Sequence, residues 1–297
     1  MTTATPAAAT GEAFGLAEGP VWDAVRQRLL WVDIHAGQVL EGALGPTGRI
    51  SVTRRHQFDS TVGAVAVAED GTLLVAAQEH LVVVAADGTR YDGPRIVGAG
   101  ERRRLNDGSI DPTGRFLVGT LGLDGGSRRE TLVRLEPDGE VTTLDSDLTL
   151  SNGLAWTADG RTLYSVDTLR RTVHVRDYTR VGTERRTHLR LADGYPDGIA
   201  MDAEEHLWVA VWGKGEIRRY APDGTIAARC RVPAPHTSSV AFAGPDLRTL
   251  VITTATSELT REQRTQHPDS GRLFTVRVDV PGIPVPAWLG CPSLLPC

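Results

Sequence analysis

The sequence predicts an all-β fold, a six-bladed β-propeller with four antiparallel strands per blade, and three observations carry that prediction. Helical periodicity is nearly absent: short apolar or alternating runs are broken by Asp-Gly, Pro-Asp-Gly and Asp-Pro-Thr-Gly, the turn chemistry that joins short strands. Six of the runs look alike: LLWVD at 29–33, LLVAA at 73–77, FLVGT at 116–120, LYSVD at 163–167, LWVAV at 207–211 and LVITT at 250–254. Anchored on Trp31, Leu74, Leu117, Tyr164, Trp208 and Val251, they are spaced by 43, 43, 47, 44 and 43 residues. A unit of about 40 to 50 residues carrying four strands is a propeller blade. A pair of β-sandwiches leaves so even a period unexplained, and no Gly-His…Trp-Asp pattern marks the WD40 type.

Taken in order, each unit opens with a second, shorter run a little before its anchor. These are GPVW after Glu18, GAVAV after Val62, GSI after Asp107, GLAW after Asn152, GIAM after Asp197 and VAF after Ser239. In a propeller the first strand of every blade lines the central channel. Residues at the start of those strands therefore meet at one end of the axis. The expectation is that Glu18, Asn106, Asp107, Asn152 and Asp197 converge there, although they are far apart in sequence. The six units leave 1–11 as a disordered N-terminal lead-in, 12–288 as a single propeller and 289–297 as a C-terminal tail.

Composition bounds the function. A chain of 297 residues is long enough for a large core, and its net charge of −5, with no basic run interleaved with aromatics, gives no reason to expect nucleic acid. No apolar run approaches the roughly 18 residues of a membrane span, and MTTATPAAAT lacks the features of a signal peptide. Cys230, Cys291 and Cys297 have no metal spacing. Neither a disulfide framework nor a membrane partner is expected, and a cytoplasmic location is the default.

Several carboxylates with amide oxygens, and no histidine or cysteine among them, form a donor set for a hard divalent cation: calcium, magnesium or manganese, with zinc also accepted. Crowded carboxylates repel one another unless a cation neutralises them. The competing reading is that Asp and Asn before Gly serve turns; the phase of Glu18, Asn152 and Asp197 with the repeat speaks against it. No G-x-S-x-G elbow or H-E-x-x-H motif is present, and Gly98-Ala99-Gly100 does not make a dinucleotide site. His236 precedes the sixth inner strand and reads as a structural histidine. Arg102-Arg103-Arg104 reads as a solvated charge run whose last member is near enough to Asn106 to grip a polyhydroxylated or anionic ligand.

AEGPVWDAVRQRLLWVDI, RLNDGSIDPTGRFLVGTL, LSNGLAWTADGRTLYSVDT and YPDGIAMDAEEHLWVAVW, with the later SGRLFTVRVDVPGIP, resemble the SMP-30/gluconolactonase family, which includes regucalcin. The resemblance runs from about Glu12 to about Trp288. It implies a six-bladed propeller with one divalent cation in its channel and hydrolysis of sugar lactones to aldonic acids. It further implies that Glu18, Asn152 and Asp197 hold the metal, that Asp197 is also the catalytic acid/base, and that Arg104 and Asn106 contact substrate. Asp124 falls where many members carry a substrate-contacting Glu, and its shorter side chain departs from that pattern. Two alternatives stay open: a non-catalytic calcium- or metabolite-binding propeller, and a different metal-assisted reaction in a specialised biosynthetic route. Arg104 and Asn106 beside the metal ligands favour the enzyme, because a structural cation has no need of them. The resemblance assigns no role to LGCPSLLPC and names neither the lactone, the metal nor the oligomeric state.

Overall fold

Turn residues recur so often that no strand among the described residues exceeds eight residues. The computed structural model describes residues 5–125, 128–180, 182–291 and 294. Its strands form six four-stranded antiparallel sheets. Blade 1 consists of Ala17–Asp23, Arg28–Asp33, Gln38–Leu44 and Ile50–Gln57; blade 2 of Val62–Val67, Leu73–Ala77, His80–Val84 and Arg90–Arg95. Blade 3 follows with Arg103–Ile110, Phe116–Gly122, Glu130–Leu135 and Val141–Leu148, and blade 4 with Ser151–Trp156, Thr162–Asp167, Thr172–Asp177 and Arg186–Arg190. Blade 5 uses Tyr195–Met201, Leu207–Trp212, Glu216–Tyr220 and Ile226–Arg231. The six repeated runs are the second strands of the six blades, as the period predicts.

Blade 6 is built differently. Thr237–Ala243, Thr249–Thr254 and Phe274–Arg277 supply three strands, and the fourth is Ala7–Ala8, paired with Thr275 and Phe274. The first and last parts of the chain thus close the ring within one sheet. This corrects the disordered lead-in expected over 1–11. A three-stranded last blade leaves an open edge of unpaired backbone groups, which the N-terminal segment fills; residues 1–4 lie outside the described residues. Part of the tail 289–297 is also packed against the propeller. Cys291 is 1% exposed and packs with Trp288 and Leu294 onto the apolar layer between blades 2 and 3, its Sγ against the Pro137 carbonyl at 3.4 Å. Residues 292, 293 and 295–297, Cys297 among them, lie outside the described residues. Cys230 is half-buried against the layer between blades 5 and 6, and burial pushes its thiol up to about 11.

The core is a ring of apolar layers, each between neighbouring blades. Leu30, Val32, Val65 and Val75 join blades 1 and 2; Val166, Val173, Ile199 and Val209 join blades 4 and 5. Each fully buried side chain of this size contributes about 1.5–3 kcal/mol. The layer between blades 3 and 4 is the smallest, with Leu117, Leu132, Leu148, Leu154, Trp156 and Leu163 at its centre. The described residues contain one short helix, Arg261–Gln266, in the connection between the second and third strands of blade 6. Its start is a capping box, in which Thr260 and Gln263 exchange side-chain and backbone hydrogen bonds. No helix among the described residues is long and apolar enough to cross a membrane.

Candidate active site

In all six blades the pairing of the first strand with the second slips near the start of the first. The slips fall at Glu18/Val21, Val62/Ala64, Leu105/Gly108, Asn152/Leu154, Pro196/Ile199 and Thr237/Ser239. A bulge leaves a residue without a ladder partner and re-aims its side chain. Asn106, Asp107 and Asp197 lie inside these slips, and Glu18 and Asn152 flank them. The Asp107-Gly108, Asn152-Gly153 and Asp197-Gly198 pairs are therefore bulges on strands that line the channel, not hairpin turns.

In blades 2 and 4 the glycine at the bulge has its own reason. A Cβ on Gly153 would stand 2.5 Å from the Asp197 carbonyl oxygen, and one on Gly63 would stand 2.1 Å from that of Asn106. Both contacts are with the backbone of the next blade's inner strand. Glycine lets adjacent inner strands close on the axis and so brings the side chains of successive blades together.

The side chains that meet are deeply buried: Glu18, Asn106, Asn152 and Asp197 are each 5% exposed, Arg104 6% and Asp107 9%. Their hydrogen bonds fix most of them. Arg104 Nη1 donates to Asn106 Oδ1 at 2.8 Å and to the Leu105 carbonyl at 2.9 Å. Asn106 Nδ2 donates to the Ser151 carbonyl at 2.9 Å. Asn152 Nδ2 donates to Thr168 Oγ1 at 3.1 Å, and that hydroxyl donates to the Pro196 carbonyl at 2.9 Å, so one threonine steadies both Asn152 and the strand carrying Asp197. The Gly19 amide donates to Glu18 Oε2 at 3.2 Å. Asn152 Oδ1 and Asp197 Oδ1 remain buried without a hydrogen-bond partner among the described residues.

Electrostatics sharpen the point. Burial, then the charges of Asp197 and Asp107, raise the Glu18 carboxyl well above the usual range. Burial and Asp107 do the same to Asp197, and burial pushes Asp107 up to about 6. Burial also lowers Arg104 to about 10, against the pull of Glu18 and Asp197, which marks all three as neighbours. A protein that keeps two carboxylates and an amide oxygen buried, two of these oxygens without donors, lacks a cation's worth of positive charge there. The donor set fits a divalent metal: Glu18, Asn152 and Asp197 would hold it through oxygen alone. Among the described residues no three His, Cys, Asp or Glu side chains form a metal-holding group by themselves; the third donor is the Asn152 amide.

Sequence reasoning and structure part at the periphery. Asp124 is not in the buried cluster. It stands in the turn after Phe116–Gly122, exposed, with its carboxylate 2.6 Å from Arg102 Nε. Of the expected solvated run only Arg102 is exposed; Arg103 is bonded to Glu130, Glu101 and Thr120. His236 is held structurally, stacked on Trp212 with ring centres 4.2 Å apart and its Nδ1 2.9 Å from the Ser257 carbonyl. Three residues near the site were not anticipated: Thr168, Ser257 and Glu258. Ser257 Oγ meets His35 Nδ1 at 3.0 Å. Glu258, with a left-handed φ of 64°, places a charge felt by Asp197, His35 and His236. The only signal for Thr168 is its place directly after the LYSVD anchor; the other two lie in a connection outside the repeat.

A six-bladed propeller with a buried acid–amide cluster at the starts of its inner strands defines a class of propellers whose candidate site lies at one end of the channel. The chain belongs to the SMP-30/gluconolactonase/LRE-like family, whose model matches residues 16–256. It is 35% identical over 257 residues to pentonolactonase XacC of Haloferax volcanii, covering 81% of each chain. It is 33% identical to a 6-deoxy-6-sulfogluconolactonase of Pseudomonas putida, over 93% of this chain and 95% of that one. Among solved structures, the calcium-binding protein regucalcin of Agrobacterium tumefaciens superposes with a TM-score of 0.88 at 28% identity, over 96% of this chain and 97% of that one.

Proposed function

We propose that the protein is a divalent-metal-dependent lactonase that opens a sugar lactone, an aldonolactone of the gluconolactone type, to its aldonic acid. The observation that carries this reading is the pair of buried, partnerless oxygens on Asn152 and Asp197 beside Arg104 and Asn106. Relatives named for pentonolactone and sulfogluconolactone hydrolysis support it.

When bound by Glu18, Asn152 and Asp197, a cation would supply Lewis acidity toward the lactone carbonyl. The chain's own residues do the rest. Asp197, whose two carboxylate oxygens would divide the cation and the proton between them, accepts a proton from the attacking water as the new C–O bond forms. It returns that proton to the ring oxygen as the ring C–O bond breaks, so that one water is consumed and one carboxylic acid is produced. Arg104 uses only Nη1 within the protein and, among the described residues, leaves Nε and Nη2 for sugar hydroxyls. Asn106, locked between Arg104 and Ser151, fixes the direction of that guanidinium and thereby the face of the lactone presented to water. Asp124, exposed and paired with Arg102 outside the cluster, is given no role in this reaction.

A second reading has one observation in its favour: the regucalcin relative is described as a calcium-binding protein, which fits a propeller that holds a cation without turnover. Both readings meet in one experiment, hydrolysis of an aldonolactone panel followed by a pH indicator. The protein is stripped of metal, then given calcium, magnesium, manganese or zinc in turn. The lactonase reading expects acid release on at least one lactone, only after metal is restored. Intact lactones alongside metal-induced thermal stabilisation would leave the binding protein.

A further inference from the structure

A cavity of about 680 Å³ lies away from the channel, between the outer strands of blades 3 and 4. Its position follows from the thin apolar layer there. The third and fourth strands of blade 4 add no residue to that layer. On the opposite face the third strand packs Val173 and Val175 against blade 5, so by alternation the face toward blade 3 carries His174 and Arg176.

These groups are buried in an unusual state. His174 is 9% exposed, and neither ring nitrogen has a hydrogen-bond partner among the described residues. The other buried imidazole of an outer strand, His56, is satisfied by Glu41 at 2.8 Å. Arg176 and Arg185 share the carboxylate of Asp145, Arg185 at 2.6 Å, yet the Nε of each arginine is also buried and unpartnered. Arg115 and Arg134 stand on the facing wall. Burial and the charge of Arg185 hold His174 below the usual histidine range, so it presents a neutral ring with one N–H and one acceptor. Polar groups buried without partners destabilise a fold unless something else satisfies them. Arg115 and Arg134 are paired with Asp111 and Glu136, and Arg185 also reaches Asp147 at 2.7 Å. What remains without an acceptor is the Nε of Arg176 and of Arg185, beside the unpartnered His174 ring.

We propose that this cleft binds a small metabolite through an oxyanion, phosphoryl or carboxylate, held by His174, Arg176 and Arg185. Arginine's planar fork suits both groups. The site is separate from the channel and does not depend on the reaction catalysed there.

The test is a thermal-shift and calorimetric titration of the metal-loaded protein with inorganic phosphate and, separately, citrate, at ionic strength matched with sodium chloride. The expected result is a saturable rise in Tm with one or both anions, weakened about tenfold or more in Kd by Arg185→Gln and by His174→Phe. Lactone hydrolysis should be unchanged in both variants. Response to phosphate alone assigns a phosphoryl group, and response to citrate alone a carboxylate. No saturable response beyond the chloride control overturns the proposal, as does a response that both variants retain, which would place the anion elsewhere. Should a variant fail to fold, the imidazole NMR signals of the unaltered protein decide. Those of His174 should move on addition of the anion while those of His56 stay, and an unmoved His174 refutes the site.

Discussion

Asp197 and Asn152 each present a buried oxygen without a protein donor, but only the carboxylate can carry a proton, so substitution separates their roles. Asp197→Asn should lower kcat by about 10²–10⁴, the usual contribution of a positioned acid/base, at every metal concentration. Asn152→Ala removes a donor and no proton carrier, so its activity should recover as metal is raised; activity measured against metal concentration distinguishes the two. Arg104→Gln should act mainly on KM, since in the proposed reaction Arg104 would hold substrate hydroxyls in ground and transition states alike. At this scale the sequence was legible where residues fall in phase with the repeat. Glu18, Asn106, Asn152 and Asp197 were found because each opens an inner strand. Thr168 and Glu258 were not, because a hydroxyl one residue past an anchor and a carboxylate in a long connection carry no periodic signal. Asp124 was assigned by resemblance alone, and its exposed pairing with Arg102 is a feature of the loop rather than of the period.

The element that positions the site is the bulged inner strand, and its glycine is the point at which to break it. Gly153→Ala would push a Cβ to 2.5 Å from the Asp197 carbonyl oxygen and 2.8 Å from the Ile199 amide. Backbone atoms on both sides cannot rotate away. Overpacking of this kind destabilises by about 1–3 kcal/mol, or about 2–4 °C of Tm for each kcal/mol in a domain of this size. It should weaken metal binding as well, because the strand that moves carries Asp197. Gly11→Ala, where a Cβ meets nothing within 4 Å, is the control and should leave Tm unchanged. The second strands announced themselves in the sequence because a propeller buries them on both faces, which demands continuous apolar runs. Ala7–Ala8 was invisible for the opposite reason: two alanines show no alternation, and what orders them is the open edge of a blade encoded more than two hundred residues later.

For the whole molecule, ring closure is one source of global stability that the architecture singles out, and the proposed cation would be a second. Deleting residues 1–8 should lower Tm and broaden the transition, since it exposes the edge strand Phe274–Arg277 and opens the ring. Metal and pH are linked through the cluster. Folding raises the carboxyls of Glu18 and Asp197 above their ordinary values by burial and mutual repulsion, and it pushes Asp107 up to about 6. A raised carboxyl binds its proton more tightly in the folded state. Its contribution is therefore present below the ordinary carboxylate range and lost as pH rises through the raised value. Metal-free protein should thus lose Tm as pH rises from the ordinary carboxylate range through about 6, the Asp107 value, and beyond it as Glu18 and Asp197 ionise. A bound cation favours the ionised forms, so the Tm gained on adding it should grow across the same range; melting curves with chelator and with metal at both ends test the sign. The most direct measurement is a comparison of metal-replete wild type, metal-stripped wild type and metal-replete Asp197→Asn in the indicator assay, on whichever aldonolactone the wild type opens. Acid release confined to the metal-replete wild type is the predicted result. Undiminished release by Asp197→Asn, or by protein shown to be free of metal, would contradict the assignment of the chemistry to the buried cluster.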